Sequence, residues 1–150
     1  MLGKMETQVT LLAAVPALAD VALLLLRLTV GLMFALSGYF KLTVPERRQK
    51  MEASLKSGGM SPGLAPLVSA GELIGGIGVT VGLLTVPAAL VLLIISLVAG
   101  ISVVWPKAEG QGIHKIENVL YSPEALIAAA MLVLLAIGAG SVSLDAMLFR

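Results

Sequence analysis

Two ionisable residues, Arg27 and Glu72, lie within otherwise apolar stretches of this sequence. A charge at the centre of a bilayer costs on the order of 3 kcal/mol by insertion scales, and such residues are functional by default. Glu72 is the leading candidate for chemistry, because a buried carboxylate must be paired, hydrated or protonated. Lys41, at the end of the stretch that contains Arg27, is a second partner for Glu72.

Two interpretations of the Arg27 and Glu72 charges stay open. Counted along helices from the same side, the two residues differ in depth by ~9 Å, a gap that two extended side chains would just bridge. They either form a buried salt bridge that fixes helix register or face a ligand. Asp145, beyond the last apolar stretch, either caps the turn at 146–149 or bonds to Arg27. The candidate binding residues are therefore Glu72, Arg27, Lys41 and Asp145.

Glycines recur at helical spacing in the two stretches that carry these charges. Arg27, Gly31, Gly38 and Lys41 fall on one face of the first helix. The second stretch has a stripe of glycines at steps of four, three and four, a small-residue pattern that lets another helix approach closely. The predicted packing residues are Gly31, Gly38, Gly71, Gly75, Gly76, Gly78 and Gly82.

The sequence offers no other recognisable chemistry. It has no Cys, and its one histidine, His114, has no second His to form a metal site, so we predict no metal. Hydrolase, nucleotide-binding and haem motifs are missing, which leaves the catalytic residues unknown and indicates an accessory subunit rather than a self-contained enzyme. No covalently bound cofactor is predicted. A net charge of +1 argues against nucleic acid as a partner.

These residues are positioned by elements with the composition of membrane spans. The chain is 58% hydrophobic and 13% charged, with a mean hydropathy of +1.01, and its charges separate apolar stretches long enough to cross ~30 Å of hydrocarbon. We therefore predict an all-α, antiparallel four-helix transmembrane bundle that forms one domain over residues 1–150. The predicted spans are 21–42, 64–86, 87–105 and 123–140.

The first nineteen residues have two interpretations. Residues 9–19 are apolar, follow Lys4 and end in the small-residue pattern Ala17-Leu18-Ala19 of a signal-peptidase site. The basic region is only one Lys offset by Glu6, which favours a short uncleaved segment at the membrane interface. Cleavage of residues 1–19 is the alternative.

The distribution of basic residues predicts an orientation in the cell membrane. Seven Lys or Arg lie in or beside the loops 41–66 and 106–122, against Lys4 and Arg150 on the side of the termini. Because basic loops stay in the cytoplasm, we predict both loops to be cytoplasmic and both termini to be outside.

Three segments in order, LLLLRLTVGLMFALSGYFKL, GELIGGIGVTVGLLTVPAAL and GAGSVSLDAMLFR, resemble the DoxX family of small bacterial and archaeal membrane proteins. The resemblance spans about residues 21–149. It departs from the family pattern in a charge-rich first loop and in Val142 before the Ser-Leu-Asp triplet. The matching residues are Arg27, Gly31, Gly38, Lys41, Glu72, Gly75, Gly76, Gly82, Leu83, Ser143, Leu144 and Asp145.

The resemblance implies a four-helix fold and an association with quinone-linked oxidoreductases, of which some members are subunits. The first hypothesis is thus a membrane subunit of a redox complex in which Glu72 and Arg27 contribute to a quinone head-group site. The second is a non-catalytic anchor or assembly factor for a partner enzyme. A transporter of small or lipidic molecules is the third. Membrane lipid, partner oxidoreductase subunits and a second copy of the chain are the expected partners.

Overall fold

The computed structural model of the chain describes the backbone of residues 2–149 and the side chains of residues 17–149. Within these residues the secondary structure is helical and contains no strand. The all-α fold class is therefore confirmed.

Helix α1 (Leu2–Thr43) is the longest helix and contains a candidate membrane span, Ala17–Thr43. It ends at Val44, which is extended because the following Pro45 disfavours a helical conformation in the residue before it. Residues 2–19 of the predicted interfacial segment have their backbone in α1, continuous with the span, and residue 1 lies outside the described part of the chain. The side chains of residues 1–16 lie outside the described part of the chain.

Helix α2 (Pro45–Ser57) follows α1 after a single residue. Its first position is a proline, whose missing N–H would be unpaired at a helix start in any case. It ends at Gly58, and Gly59 then adopts a positive φ of 76°. A 3-10 turn, Pro62–Leu64, leads into the next helix.

Helices α3 (Ala65–Val81) and α4 (Thr85–Ala99) form a hairpin with a very short turn. Gly82 ends α3 in the left-handed conformation, with a φ of 70°, as is common where helices stop. The helix thus ends five residues before the boundary predicted between 86 and 87. Pro87 instead lies in the first turn of α4, where a proline needs no N–H.

A π-helical turn, Gly100–Val104, extends α4 into the short helix α5 (Trp105–Lys107). In this turn the Trp105 N–H donates to the Gly100 carbonyl, five residues back. The whole of Thr85–Lys107 is long and apolar enough to cross a membrane.

The last part of the chain differs from the predicted straight span at 123–140. Helix α6 (Ile113–Leu120) meets α7 (Pro123–Ile137) at a bend of 65°. At 1.5 Å per residue α7 alone is roughly 22 Å long, short of the ~30 Å hydrocarbon layer. It ends at Gly138, whose φ is 81°, and the short helix α8 (Leu144–Leu148) follows.

The described residues thus contain three helices able to span a membrane, or four if the bent pair of α6 and α7 crosses as one. Many large apolar side chains point outward from these helices, among them Leu25, Leu67, Ile74 and Ile94. A soluble protein rarely exposes so much contiguous apolar surface. The chain is a multi-pass membrane protein.

The core lies where α1, α3, α4 and α7 meet. Helix α1 packs mainly against α3, α3 against α4, and α4 against α7. The core residues are Leu23, Val30, Phe34, Val79, Ala89, Leu92, Leu93, Met131 and Leu134.

Candidate functional site

The predicted site residues separate into two groups along α3. Arg27 lies at its C-terminal end, where Gly82 and Asp145 also meet. Lys41 lies against Glu72, near the middle of the helix. The two groups have different surroundings and therefore different chemistry.

The Arg27 guanidinium is buried and donates only to backbone carbonyls. Its Nε reaches the Val79 oxygen at 3.1 Å, and its Nη2 reaches the Thr80 oxygen at 3.3 Å. Nη1 donates to Ala139 at 2.6 Å and to Val142 at 2.8 Å. Val79 and Thr80 are in the last turn of α3, where carbonyls lack helical partners and the dipole favours a cation. Arg27 thus joins the end of α3 to the segment after α7.

Gly82 permits this close approach. A Cβ at that position would lie 2.5 Å from Arg27 Nη2 and 2.6 Å from Ser143 Cβ, closer than side-chain atoms pack. Its φ of 70° is also a conformation that other residues seldom adopt. Gly82 was predicted as a packing residue in a stripe; it lies at the turn and contacts a side chain.

Asp145 caps helix α4, an arrangement that neither predicted role included. Its Oδ1 accepts from the Leu84 N–H at 2.7 Å and its Oδ2 from the Thr85 N–H at 2.9 Å. Its own turn is capped by Ser143, whose Oγ accepts from Ala146 at 3.1 Å. Both predicted roles, a cap on 146–149 and a bond to Arg27, are therefore wrong.

The carboxyl of Asp145 is nonetheless affected by the charge of Arg27. Partial burial opposes ionisation and raises its pKa, but the hydrogen bonds from Thr85 and Leu84 and the attraction of Arg27 outweigh burial. The net effect holds the pKa of Asp145 below its usual value.

At the other group, Glu72 is paired with Lys41. Lys41 Nζ lies 2.7 Å from each carboxylate oxygen of Glu72, and Ser37 Oγ donates to Oε2 at 3.1 Å. The Glu72 side chain is 6% exposed and that of Lys41 is 22% exposed. A salt bridge between Glu72 and Arg27, one of the two sequence interpretations, is excluded, since Lys41 and Ser37 occupy the carboxylate.

The Lys41–Glu72 pair lines a cavity of about 720 Å³ between α1, α2, α3, α4 and α7. Most of the wall is apolar, with Phe34, Leu55, Val68, Ile95 and Ile127 among its residues. Small-molecule sites are typically cavities of this kind, in which a few polar groups face an apolar interior. Arg27 is not part of this wall.

The glycines of α3 fall on two faces, with Gly76 on the face toward α1 and the first three glycines of the predicted stripe on the other. A Cβ at Gly76 would lie 2.7 Å from the Gly31 carbonyl oxygen, and one at Gly38 would lie 2.5 Å from the Ser69 carbonyl oxygen. These three glycines bring α1 and α3 into backbone contact. Gly71, Gly75 and Gly78 instead face α4 or the turn before it, where a Cβ would meet side chains or a carbonyl at 3.0–3.4 Å.

Several polar residues of the cavity wall were not predicted as site residues, among them Ser37, Arg47 and Lys50. Ser37 is one turn before Lys41, and that i, i+4 spacing places both on one face of α1. Arg47 and Lys50 also line the cavity, from α2. The sequence marked their segment only as a charged loop with a short helix, because nothing in it shows that α2 folds back over the bundle.

Among the side chains of residues 17–149, no group of three or more His, Cys, Asp or Glu converges as a metal site would require. His114 is an exposed residue whose Nδ1 lies 3.7 Å from Glu117 Oε2.

Comparison with known proteins identifies the chain by family. A family model described as DoxX matches residues 22–105, more than half of the chain. No curated protein and no solved structure shows a significant match. The matched region contains Arg27, Lys41 and Glu72, and it ends before the Ser-Leu-Asp triplet at 143–145. The chain therefore belongs to the DoxX family.

Proposed function

We propose that this protein is the membrane subunit of a quinone-linked redox complex and that its cavity binds the quinone head group. The observation that supports this proposal is the Lys41–Glu72 pair on the wall of an otherwise apolar cavity, within helices that have the composition of membrane spans. A quinone has the matching chemistry, since two carbonyl oxygens project from an apolar ring and chain.

The residues present fit such a ligand. A volume of about 720 Å³ is within the ~300–1,000 Å³ of typical ligand sites and can hold the ring with the first part of its chain. Lys41 has three N–H donors, of which Glu72 takes up at most two, so one can be directed at a carbonyl oxygen. Phe34 and Ile95 on the cavity wall supply apolar contact. A bound quinone would supply two-electron redox chemistry.

Glu72 has a positioning role in this proposal. By accepting from both Lys41 and Ser37, it holds the Lys41 ammonium at the cavity wall and compensates its charge. Arg27, which the sequence analysis placed with Glu72 at the quinone site, has no role in this proposed site, because all its described hydrogen bonds go to backbone carbonyls.

The electrons come, in this proposal, from a partner oxidoreductase subunit. The chain has no Cys and so cannot bind an iron–sulfur cluster through thiolates. In this proposal the partner binds on the cytoplasmic side, because the seven basic residues in or beside loops 41–66 and 106–122 favour a cytoplasmic position for those loops. A second copy of the chain is a further partner in the membrane.

Thermal unfolding of the purified protein with and without a soluble quinone tests the proposal. A ligand that binds the folded state but not the unfolded state raises the Tm, and the rise grows with the logarithm of the ligand concentration above Kd. We expect the quinone to raise the Tm of the unmodified protein and the rise to be lost in Glu72→Gln. The matched control is Glu52→Gln, which removes an exposed carboxylate paired with Arg48 and should leave the rise unchanged.

The competing function is a non-catalytic anchor for a partner enzyme. It is favoured by the fact that Lys41 and Glu72 satisfy each other without a ligand. If quinone does not raise the Tm of the unmodified protein, or raises the Tm of Glu72→Gln just as much, the proposed quinone site is wrong. The anchor function would then be favoured.

The orientation has its own test, made simple by the lack of Cys. Single cysteines placed at the exposed positions Lys56 and Ser141 can be labelled in intact cells with a reagent that does not cross the membrane. We expect Ser141→Cys to be labelled and Lys56→Cys to be protected. The reverse pattern would overturn the proposed orientation.

A further inference from the structure

Helix α2 lies over the cavity and presents basic side chains to it. Its cavity-lining residues, Arg47, Lys50, Met51, Ser54 and Leu55, are spaced as one face of a helix. The later part of this face follows the rule for a helix packed on a bundle, since Leu55 is buried and apolar. The first turn of this face departs from that pattern, because Arg47 and Lys50 lie where apolar residues are expected.

These two cations have no carboxylate partner among the described residues. The neighbouring Arg48, on the other face of α2, is paired with Glu52 at 3.1 Å. Arg47 instead lies over the Phe40 ring, 5.7 Å from its centroid, an arrangement that orients the guanidinium while leaving its N–H groups available. Arg47 and Lys50 thus form a basic rim at the α1 end of the cavity.

The carboxylates of the cavity do not neutralise this rim. Glu72 is bonded to Lys41. Glu124 comes from α7 and lies beside Gly100, in the π-helical turn that also contacts Gly58 at the end of α2. Gly58 is eleven residues from Arg47, or roughly 16 Å along a helix. Glu124 is therefore near the opposite end of α2.

A membrane offers one abundant ligand with this combination of features. The cavity has apolar walls, and the wall residues Leu67 and Ile94 are also exposed on the outer surface of the helices, where lipid chains lie. Basic residues near a membrane surface attract anionic lipid head groups, each contributing about 1 kcal/mol, or roughly fivefold in affinity.

We propose that Arg47 and Lys50 bind the phosphate of an anionic phospholipid whose acyl chain enters the apolar cavity beneath α2. The phosphate contacts of this lipid are separate from the Lys41–Glu72 pair, while its acyl chain shares the apolar cavity that the pair lines. The lipid proposal does not depend on quinone binding. A lipid held there would anchor α2 over the cavity and would occupy the space that opens toward the bilayer.

Native mass spectrometry of the detergent-purified full chain tests the proposal with phosphatidylglycerol and phosphatidylcholine of identical acyl chains. The variants are the doubles Arg47→Gln/Lys50→Gln and Arg48→Gln/Lys56→Gln, which remove the same charge from the same exposed helix. We expect the unmodified protein to prefer phosphatidylglycerol. The first double should bind it about 25-fold more weakly, the product of two fivefold losses, and the second should match the unmodified protein.

The alternative outcomes overturn specific parts of the proposal. Equal loss in both doubles would show that α2 attracts lipid through its overall charge and that there is no site at the rim. Equal binding of the two lipids would remove the anionic specificity. Equally tight binding of inorganic phosphate or glycerophosphoglycerol would show a free-anion site without acyl-chain insertion. The double Arg47→Lys/Lys50→Arg, which keeps both charges, should retain binding, and loss there together with a lowered Tm would indicate misfolding.

Discussion

Helix α3 meets a buried charge at two places, near its middle and at its C-terminal end, and the two charges are satisfied in different ways. Arg27 directs four of its five N–H donors at backbone carbonyls and closes the junction of α3 with the segment after α7. The Lys41–Glu72 pair is satisfied by side chains on the wall of a cavity. A guanidinium held by backbone has little donor capacity left for a ligand, whereas a side-chain pair facing a cavity can rearrange around one. Burial alone therefore does not identify a binding residue.

The strongest test of this comparison removes the backbone-bound charge. Arg27→Met removes the Arg27 donor from the carbonyls of Thr80, Ala139 and Val142 in an apolar interior and leaves Val79 only its 3.3 Å bond from the Gly82 N–H. We expect the free energy of unfolding to fall by about 3 kcal/mol or more, measured by thermal or denaturant unfolding in detergent. Arg27→Lys should restore little of the lost stability, because one ammonium group cannot reproduce the planar arrangement of guanidinium N–H donors. Stability within about 0.5 kcal/mol of the unmodified protein would contradict the structural role.

Disrupting the contact between α1 and α3 should cause the next largest loss of stability. In Gly76→Ala the new Cβ would meet the backbone of Gly31 and Ala35, so the helices must separate, which we expect to cost about 1–3 kcal/mol. Gly71→Ala is the matched control, since its Cβ would be 3.4 Å from Ile95, an ordinary contact. Comparison of the two Tm values checks this, and equal values would show that α1 and α3 do not pack as described.

The sequence predicted the buried charges at these two places along α3 but not the partners of those charges. The cost of burying a charge singles out Arg27 and Glu72 without a structure. Their partners depend on the register of α1 against α3, and that register follows from which glycines touch. Gly38 meets Ser69 and Leu73, which brings Lys41 within reach of Glu72, while Gly31 meets Thr80 and puts Arg27 level with the end of α3. The depths of Arg27 and Glu72, counted in residues from the predicted ends of their spans, could not show which side chains pair.

The sequence also predicted where the helices lie better than it predicted how they pack. Apolar length predicted the places of α1, α3, α4 and α7, because the hydrocarbon layer sets that length. It could not predict the bend before α7, since the 65° change of direction at Tyr121–Ser122 does not alter composition. Nor could it predict that α2 covers the cavity.

Asp145 gives a smaller effect that depends on pH. Asp145→Ala removes the cap from the first N–H groups of α4 and should lower the free energy of unfolding by about 1 kcal/mol. Because its pKa is held below the usual 3.8, the stabilisation is fully present above that value and is lost as the pH falls through the lower, folded pKa. Unfolding measured between pH 6 and pH 3 should therefore show a smaller acid loss in Asp145→Asn than in the unmodified protein. An identical acid loss in both would contradict the cap.

The central claim is that the cavity lined by the Lys41–Glu72 pair binds ligand, whereas the junction held by Arg27 and Asp145 stabilises the fold. Its most direct test is the quinone-dependent rise in Tm, measured side by side in Lys41→Met and Asp145→Ala. We expect Lys41→Met to lose the rise, because the donor to the carbonyl is gone, and Asp145→Ala to start from a lower Tm but keep the full rise. A rise that survives in Lys41→Met, or disappears in Asp145→Ala, would contradict this division of roles.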